Sequence, residues 1–516
     1  MVKITKMMRI TSKSMTAMKK RNIILVLVLL LFPFISGAQV LKGSYFLDHS
    51  INRHKMNPAF APRANYFQLP VIGNTGVGIY SNLDVPLLTY PVGDKLGTFL
   101  HPSVSPEQFR RDLPAHLHFD ADIQTTILSF GGFNKKKAFW NFTIDTRMMY
   151  DMDLPSDLFL FVKQGVGTQS QKYNIGNINA YATAALQASF GYSREWMKGL
   201  RAGFKVRAIA PIAYFGLNLE DVSLTTGADK WTVNTNGYLY TSMAGLDVKM
   251  SDGSLGTDFD MNKFLSNKGL AGLGYSVDLG LEYTLEIGSP VDGLAVSFAV
   301  TDLGQIFYKK DCVSAFKNEG SMDWVGFHVN ENAETNFDEA MSDFESKAAG
   351  LFNLTEMAHP QRFDRSTMPR LYAGVELPFL KRTMSVGLLY SARFSHSYAR
   401  HELTASYNLT PCKWFALGLN YSFLNTTRSM GAVIEFTPKA GPCLFLGMDY
   451  VPMEFVNAPI LEDVLGQSPG LLRMLGLKTT SWALPTSSRF NMNFGFAFNL
   501  GSKYVNPKKE KKNKNK

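Results

Sequence analysis

The sequence predicts an all-β protein, a transmembrane antiparallel β-barrel of about 14 strands. Three observations predict it: an export signal at the start, long segments that alternate apolar and polar residues, and links that are short at one end of those segments and long at the other. After the signal no apolar run approaches the length of a helical span, so transmembrane helices are excluded.

The export signal occupies residues 1–38. Lys19, Lys20 and Arg21 precede the apolar run IILVLVLLLFPFI (23–35), and Ser36-Gly37-Ala38 supplies the small residues a signal peptidase reads. Cleavage is expected after Ala38. A membrane anchor is the competing reading, but the run falls short of the roughly 20 residues a spanning helix needs and contains Pro33. Met18 would make a more ordinary start, and no Cys follows Ala38 to carry a lipid.

The strands follow in order. In AFWNFTIDTRM (138–148), Trp140, Phe142 and Ile144 share one face and Asn141, Thr143, Asp145 and Arg147 the other. LRAGFKVRA (200–208) sets Phe204 and Val206 against Arg201, Gly203, Lys205 and Arg207. GYSVDLGLEYTLE (274–286) sets Leu279 and Leu281 against Asp278, Gly280, Glu282 and Glu286. Segments starting at Leu294, Leu371, Met384, His401, Trp414, Gly431 and Leu444 alternate likewise, and RFNMNFGFAFNL (489–500) closes the series. The first three keep the period over about 9 to 13 residues, enough for a tilted strand to cross a bilayer. A further two strands, 16 in all, result if 66–80 forms the first and 199–222 breaks in two at Pro211.

Short links are 287–293, 380–382, 410–413 and 438–442; long ones are 304–369, 396–401, 424–430 and 451–488. That asymmetry is the layout of outer-membrane barrels, with the short turns and both chain ends on the periplasmic side. A soluble β-sandwich, the alternative, favours shorter strands without such asymmetry.

The net charge of +10 is misleading: residues 1–38 carry +7 and the tail 508–516 carries +5, which leaves the body at −2. Nucleic-acid binding therefore loses its support, and the tail 505–516 reads as a solvated basic run. Three cysteines make no disulfide scaffold. Cys412 and Cys443 lie in turns on the same side, too far apart across the sheet to pair at ordinary disulfide reach.

The polar strand faces supply the lumen-facing candidates: Asp145, Arg147, Arg201, Lys205, Arg207, Asp278, Glu282, Glu286, Glu376, Arg393, Glu435, Asp449 and Arg489. Both signs occur, so mutual pairing in a filled barrel competes with a selective pore. His116, His118, Asp120 and Asp122 share one strand face, as a metal site or as the wet end of a lumen-facing strand. In the insertion 304–369, Phe337, Met341, Phe344, Ala348 and Leu351 recur at helical spacing and suggest a lid. No Gly-rich phosphate loop, nucleophile elbow or zincin motif appears, so neither an enzyme nor a cofactor is expected.

Two stretches carry a resemblance. Asn57-Pro58-Ala59-Phe60 in LDHSINRHKMNPAFAPRANYFQLP (47–70) resembles the start of FadL-like outer-membrane proteins. GLGYSVDLGLEYTL…LAVSFAVTDLGQIFY (272–308), with AGPCLFLGMDYVP (440–452), is similar to the FadL-like, PorV-related barrels of Bacteroidetes, whose paired strands end in a (T/N)-(D/N)-L-G turn. The resemblance implies that residues 39–65 form a hatch in the lumen of a barrel spanning 66–504. It implies a passive channel for small hydrophobic molecules in the outer membrane of a Gram-negative bacterium. The alternative is a scaffold that docks a secretion-system protein, as in type IX secretion; a third is an outer-membrane hydrolase. Expected partners are outer-membrane lipid and the barrel-assembly machinery. Such barrels commonly end on an aromatic residue, but here Tyr504 is followed by a tail, so Phe494, Phe496 and Phe498 are the expected internal assembly signal.

Overall fold

The computed structural model describes residues 41–501 except 70–72, 93–94, 100, 102, 165–170, 227–230, 252–253, 289–290, 325–352, 358–362, 425–427, 452–454, 458–482 and 486. The export signal, the helical pattern around Phe337 to Leu351 and the basic tail lie outside the described residues.

Fourteen antiparallel staves close into a barrel. The first, β1, is made of two pieces, Asn65–Gln68 and Thr75–Ser81. It is followed by β2 (His116–Phe133), β3 (Phe139–Pro155), β4 (Gln171–Met197), β5 (Leu200–Thr226), β6 (Gly272–Leu285) and β7 (Leu294–Tyr308). The second half holds β8 (Arg370–Phe379), β9 (Met384–Phe394), β10 (Ala399–Cys412), β11 (Phe415–Leu424), β12 (Arg428–Phe436), β13 (Ala440–Val451) and β14 (Arg489–Gly501). Closure is made by β14, in which Phe494 sits opposite Leu446 of β13 and Thr75 of β1. Residues 199–222 run as one strand, because β4 follows β5 past Pro211 with only local register shifts. The count is therefore 14, not 16.

The outer face is apolar. Leu279, Leu281, Phe298, Leu388, Ile434, Leu444 and Leu446 are exposed while their strand neighbours are turned inward. In β14 Phe494 is exposed and Phe496 and Phe498 half-buried on the same face, whereas Asn491, Asn493 and Asn499 are buried inside. A soluble protein would bury those phenylalanines; a belt of this kind is the surface a barrel presents to hydrocarbon. Leu446→Arg is accordingly expected to lower barrel stability by about 2–4 kcal/mol if it lies near the bilayer midplane. Urea unfolding from lipid vesicles measures this, and a loss below about 1 kcal/mol would place Leu446 outside the hydrocarbon.

The short turns gather at one end and the large links 82–115, 227–271, 309–369 and 452–488 at the other. Two links read as long are short: only 395–398 and 425–427 separate their strands, because β10 and β12 begin earlier than the alternation indicated. The strands β4 and β5 have 27 residues each, well beyond a membrane crossing of about 11 residues. At the loop end β5 leaves β6 and pairs with Trp231–Met243, which pairs in turn with Val313–Trp324. The wall therefore projects past the lipid belt on that side. All three cysteines are free thiols, and two staves, β11 and β12, separate Cys412 from Cys443.

Candidate functional site

A barrel of this many staves encloses more space than its own inward side chains fill. Residues 41–64 occupy that space. They form two single-turn 3-10 helices, Lys42–Ser44 and Arg53–Lys55, and otherwise irregular chain that joins no strand of the barrel. Tyr45, Leu47, Met56, Asn57 and Ala59 have no exposed surface at all.

Buried irregular backbone needs partners, and the wall supplies them. The Lys42 and Gly43 N–H groups donate to the Asp449 carboxylate at 2.8 Å each, and Asn491 Nδ2 donates to the same group at 2.8 Å. Lys42 Nζ pairs with Glu402 and donates to Tyr450 Oη at 2.9 Å. Asn57 Oδ1 accepts Ala59 N–H at 2.9 Å, a turn that suits the Asn-Pro-Ala order, while Asn57 Nδ2 donates to Leu281 O at 3.2 Å. Lys55 Nζ reaches Asp145 at 3.2 Å and Thr126 at 2.9 Å. Apolar contacts complete the seat: Tyr45, Phe46, Met56 and Phe60 pack with Ala299, Tyr372 and Leu389 of the wall.

Two wall glycines permit the close fit. A Cβ on Gly203 would lie 2.1 Å from Pro58 O, and one on Gly280 would lie 2.1 Å from Asn57 Oδ1. Both belong to the polar faces of strands recognised by alternation, where the small side chain leaves room for a backbone.

Toward the loop end an ionic layer crosses the lumen. Arg147 makes two bonds to Asp122, of 3.1 and 2.8 Å, and one of 3.1 Å to Asp302; Arg370 also pairs with both aspartates. Arg207 pairs with Asp302 and, at 2.9 Å, with Asp278, whose other oxygen accepts the Asp302 N–H at 2.8 Å. Farther along, Asp120 takes Arg393, Arg400 at 2.8 Å and Tyr398 Oη at 2.7 Å. Between this layer and residues 41–64 lies a cavity of about 30 Å³, lined by Lys55, Lys205, Asp145, Arg147 and Tyr372 among others.

Asp302 stands in the Thr-Asp-Leu-Gly motif. The motif is not a turn: it is a bulge inside β7, where Asp302 has φ +59° and the register with β6 shifts. The bulge also changes the inward face. Ala295, Ser297, Ala299 and Thr301 are buried before it, Ile306 and Tyr308 after it.

The lumen-facing candidates differ in burial. Asp145, Arg147, Lys205, Asp278, Glu376, Arg393, Glu435, Asp449 and Arg489 are buried, and Arg201, Arg207 and Glu282 are half-buried on the same face. Glu286 is a correction: β6 ends at Leu285, and Glu286 is exposed beside Lys198 at 2.9 Å. His116, His118, Asp120 and Asp122 do share a face, but arginines hold both aspartates and the histidines sit by Asp153, His118 at 2.8 Å. Among the described residues no three His, Cys, Asp or Glu side chains are placed to hold a metal ion.

Sequence reading missed Lys42, Asp302, Arg370, Arg400 and Glu402. Arg370 and Arg400 fell just outside strands whose starts were set one and two residues late. Asp302 had a signal: in LAVSFAVTDLG the apolar residues are even-numbered through Val300, then odd at Leu303.

The seat is sensitive to acid. Burial and then Arg63 push the His49 pKa from 6.5 down to about 4, against the pull of Asp48. Burial, followed by Lys205 and Lys55, holds that of His54 well below 6.5. Both rings are thus neutral in the seated segment but take up protons below pH 6.5 once released. The histidines' contribution to seating is full above that pH and falls between pH 6.5 and 4 by up to about 1.4 kcal/mol per unit for each ring. Proteolysis within 41–64 should accelerate over that range, and His49→Gln with His54→Gln should flatten the dependence.

The closed antiparallel wall, the apolar belt and the occupied polar lumen define a membrane-spanning β-barrel filled by its own chain. The protein belongs to the family of unknown function DUF5723, whose pattern matches residues 58–449. No curated protein matches the sequence. Similar solved structures include the toluene transporter TbuX of Ralstonia pickettii (8% identity, TM-score 0.38, covering 88% of this chain and 94% of that one). The toluene transporter TodX of P. putida is 10% identical, with TM-score 0.33 and 86% and 93% covered. The beta domain of the Bordetella autotransporter BrkA is 8% identical, with TM-score 0.25 and 83% and 99% covered. Likeness this low says nothing of what the present chain carries.

Proposed function

We propose that the protein is a passive outer-membrane channel and that residues 41–64 are its gate. The observation that carries this reading is that the segment fills the lumen without joining the sheet, so it can leave without breaking a strand pairing. Its contacts are hydrogen bonds, ion pairs and apolar packing, each replaceable by water or solute. For the cargo we propose small molecules with a hydrophobic part. At the loop end Tyr181, Tyr214, Tyr308 and Phe363 cluster inside the wall, with Tyr214 and Tyr308 5.1 Å apart and Tyr214 and Phe363 5.2 Å apart. An aromatic mouth of this kind would take up an apolar group before it meets the polar lumen. The ionic layer favours a second reading, a sealed scaffold that works through its projecting loop-end sheet by docking a secreted protein.

Locking the gate separates the two. In a protein carrying Asn57→Cys and Gly280→Cys, with the three native cysteines replaced, the added Cβ at 280 still crowds Pro58 and Ala59, so the reduced form is expected to pass small solutes into liposomes, and oxidation, by tying the segment to the wall, is expected to stop them. Equal swelling rates in both states would remove the gating role from 41–64. No swelling in either state would favour the scaffold.

A further inference from the structure

We infer that the lumen freed of residues 41–64 is cation-selective, and that the solute it passes carries positive charge. This rests on the gating reading above. Six wall carboxylates face the segment: Asp145, Glu282, Glu376, Glu402, Glu435 and Asp449. The cations of the wall and its turns at that level are fewer: Arg201, Lys205 and Arg382, the last 3.6 Å from Asp48, with Arg400 at the edge of the level beside Lys42.

The segment itself supplies the balancing charge. It carries Lys42, Arg53, Lys55 and Arg63 against one acid, Asp48. Lys42 pairs with Glu402 and Lys55 with Asp145. Arg53 lies 2.9 Å from Asp48, with Glu282 and Glu376 as the wall carboxylates acting on it. When the segment leaves, these carboxylates keep only water and mobile ions. Glu435 is short of partners even in the plugged barrel: it is 1% exposed and its Oε2 accepts no hydrogen bond.

Carboxylates ringing a narrow lumen draw cations in and turn anions back. The ionic layer adds little bias: Asp122, Asp278 and Asp302 balance Arg147, Arg207 and Arg370, and farther along Arg393 and Arg400 face Asp120 and the buried Asp151. The loop end points the same way. Arg365 rests over the aromatic cluster, 4.8 Å from the Phe363 ring and 5.4 Å from that of Tyr181, so those rings already hold a cation. An organic cation with an apolar body would satisfy the aromatic mouth and the acidic lumen in turn.

The test uses full-length protein with Lys42→Gln and Lys55→Gln, which weakens the gate, in planar bilayers under a potassium chloride gradient. Openings are expected to prefer potassium over chloride on the order of tenfold, and Glu376→Gln with Glu435→Gln added should reduce that ratio. In liposomes, benzyltrimethylammonium should enter and benzenesulfonate should not. A second variant, Gly203→Val, displaces the segment by bulk with every charge left in place, and should give the same ratio. Unselective or anion-preferring openings overturn the inference and leave the gate standing. A folded protein that never opens in either variant overturns the gating reading, and this inference with it.

Discussion

Replacing Asp302 by asparagine is expected to destabilise the barrel by about 3–5 kcal/mol, the scale for removing one partner of a buried ion pair. The carboxylate is 9% exposed and is shared by Arg147, Arg207 and Arg370. Without it three guanidiniums depend on Asp122 and Asp278, in a lumen where water cannot readily replace the lost charge. Asparagine is the informative substitution because it tolerates φ +59° and keeps the shape, so the loss reads charge and not backbone strain. Urea unfolding from vesicles gives the number. A loss under about 1 kcal/mol would mean that the layer is hydrated and does not close the lumen.

Valine at Gly203 or Gly280 should eject residues 41–64 and leave the barrel intact. The three atoms nearest a Cβ at Gly203 are Pro58 O, Pro58 C and Ala59 N, at 2.1, 2.4 and 2.7 Å, all in the segment. Valine suits a strand, so the wall gains in propensity while the seat is overpacked at a cost of about 1–3 kcal/mol. That corresponds to a rise of roughly five- to a hundredfold in the unseated population, given about 1.4 kcal/mol per tenfold. Protease cleavage inside 41–64 reads the unseating and solute flux reads the opening. Valine at Gly288, where nothing lies within 4 Å of an added Cβ, is the control. Unchanged cleavage at both wall positions would mean that the segment is seated elsewhere than at Gly203 and Gly280.

Which strands exist, and which way their faces point, was legible because lipid and lumen impose a period of two along the staves, broken only at bulges such as that at Asp302. RFNMNFGFAFNL shows it: phenylalanine outward, asparagine inward, with no help from tertiary contacts. Strand ends were less legible. Arg370, Arg400 and Arg428 stand at the first or second position of their staves, charged residues that alternation alone assigned to loops, since beyond the hydrocarbon the outward face no longer has to be apolar.

Seating residues 41–64 needed more than pattern. The segment has no periodicity, and its place is decided by carboxylates and glycines on staves hundreds of residues away, such as Asp449, Glu402 and Gly280. The bulge at Asp302 is intermediate: its phase slip is visible in the sequence, but that it gathers three arginines from β3, β5 and β8 is not.

By itself, then, the sequence determined the barrel, its inward and outward faces and the ends that carry long loops, because those follow from local alternation against a fixed solvent. Only the tertiary structure decided how the lumen is filled: where residues 41–64 sit in it and which wall charges hold them. That arrangement depends on groups far apart in sequence meeting across the barrel, and no local pattern encodes that.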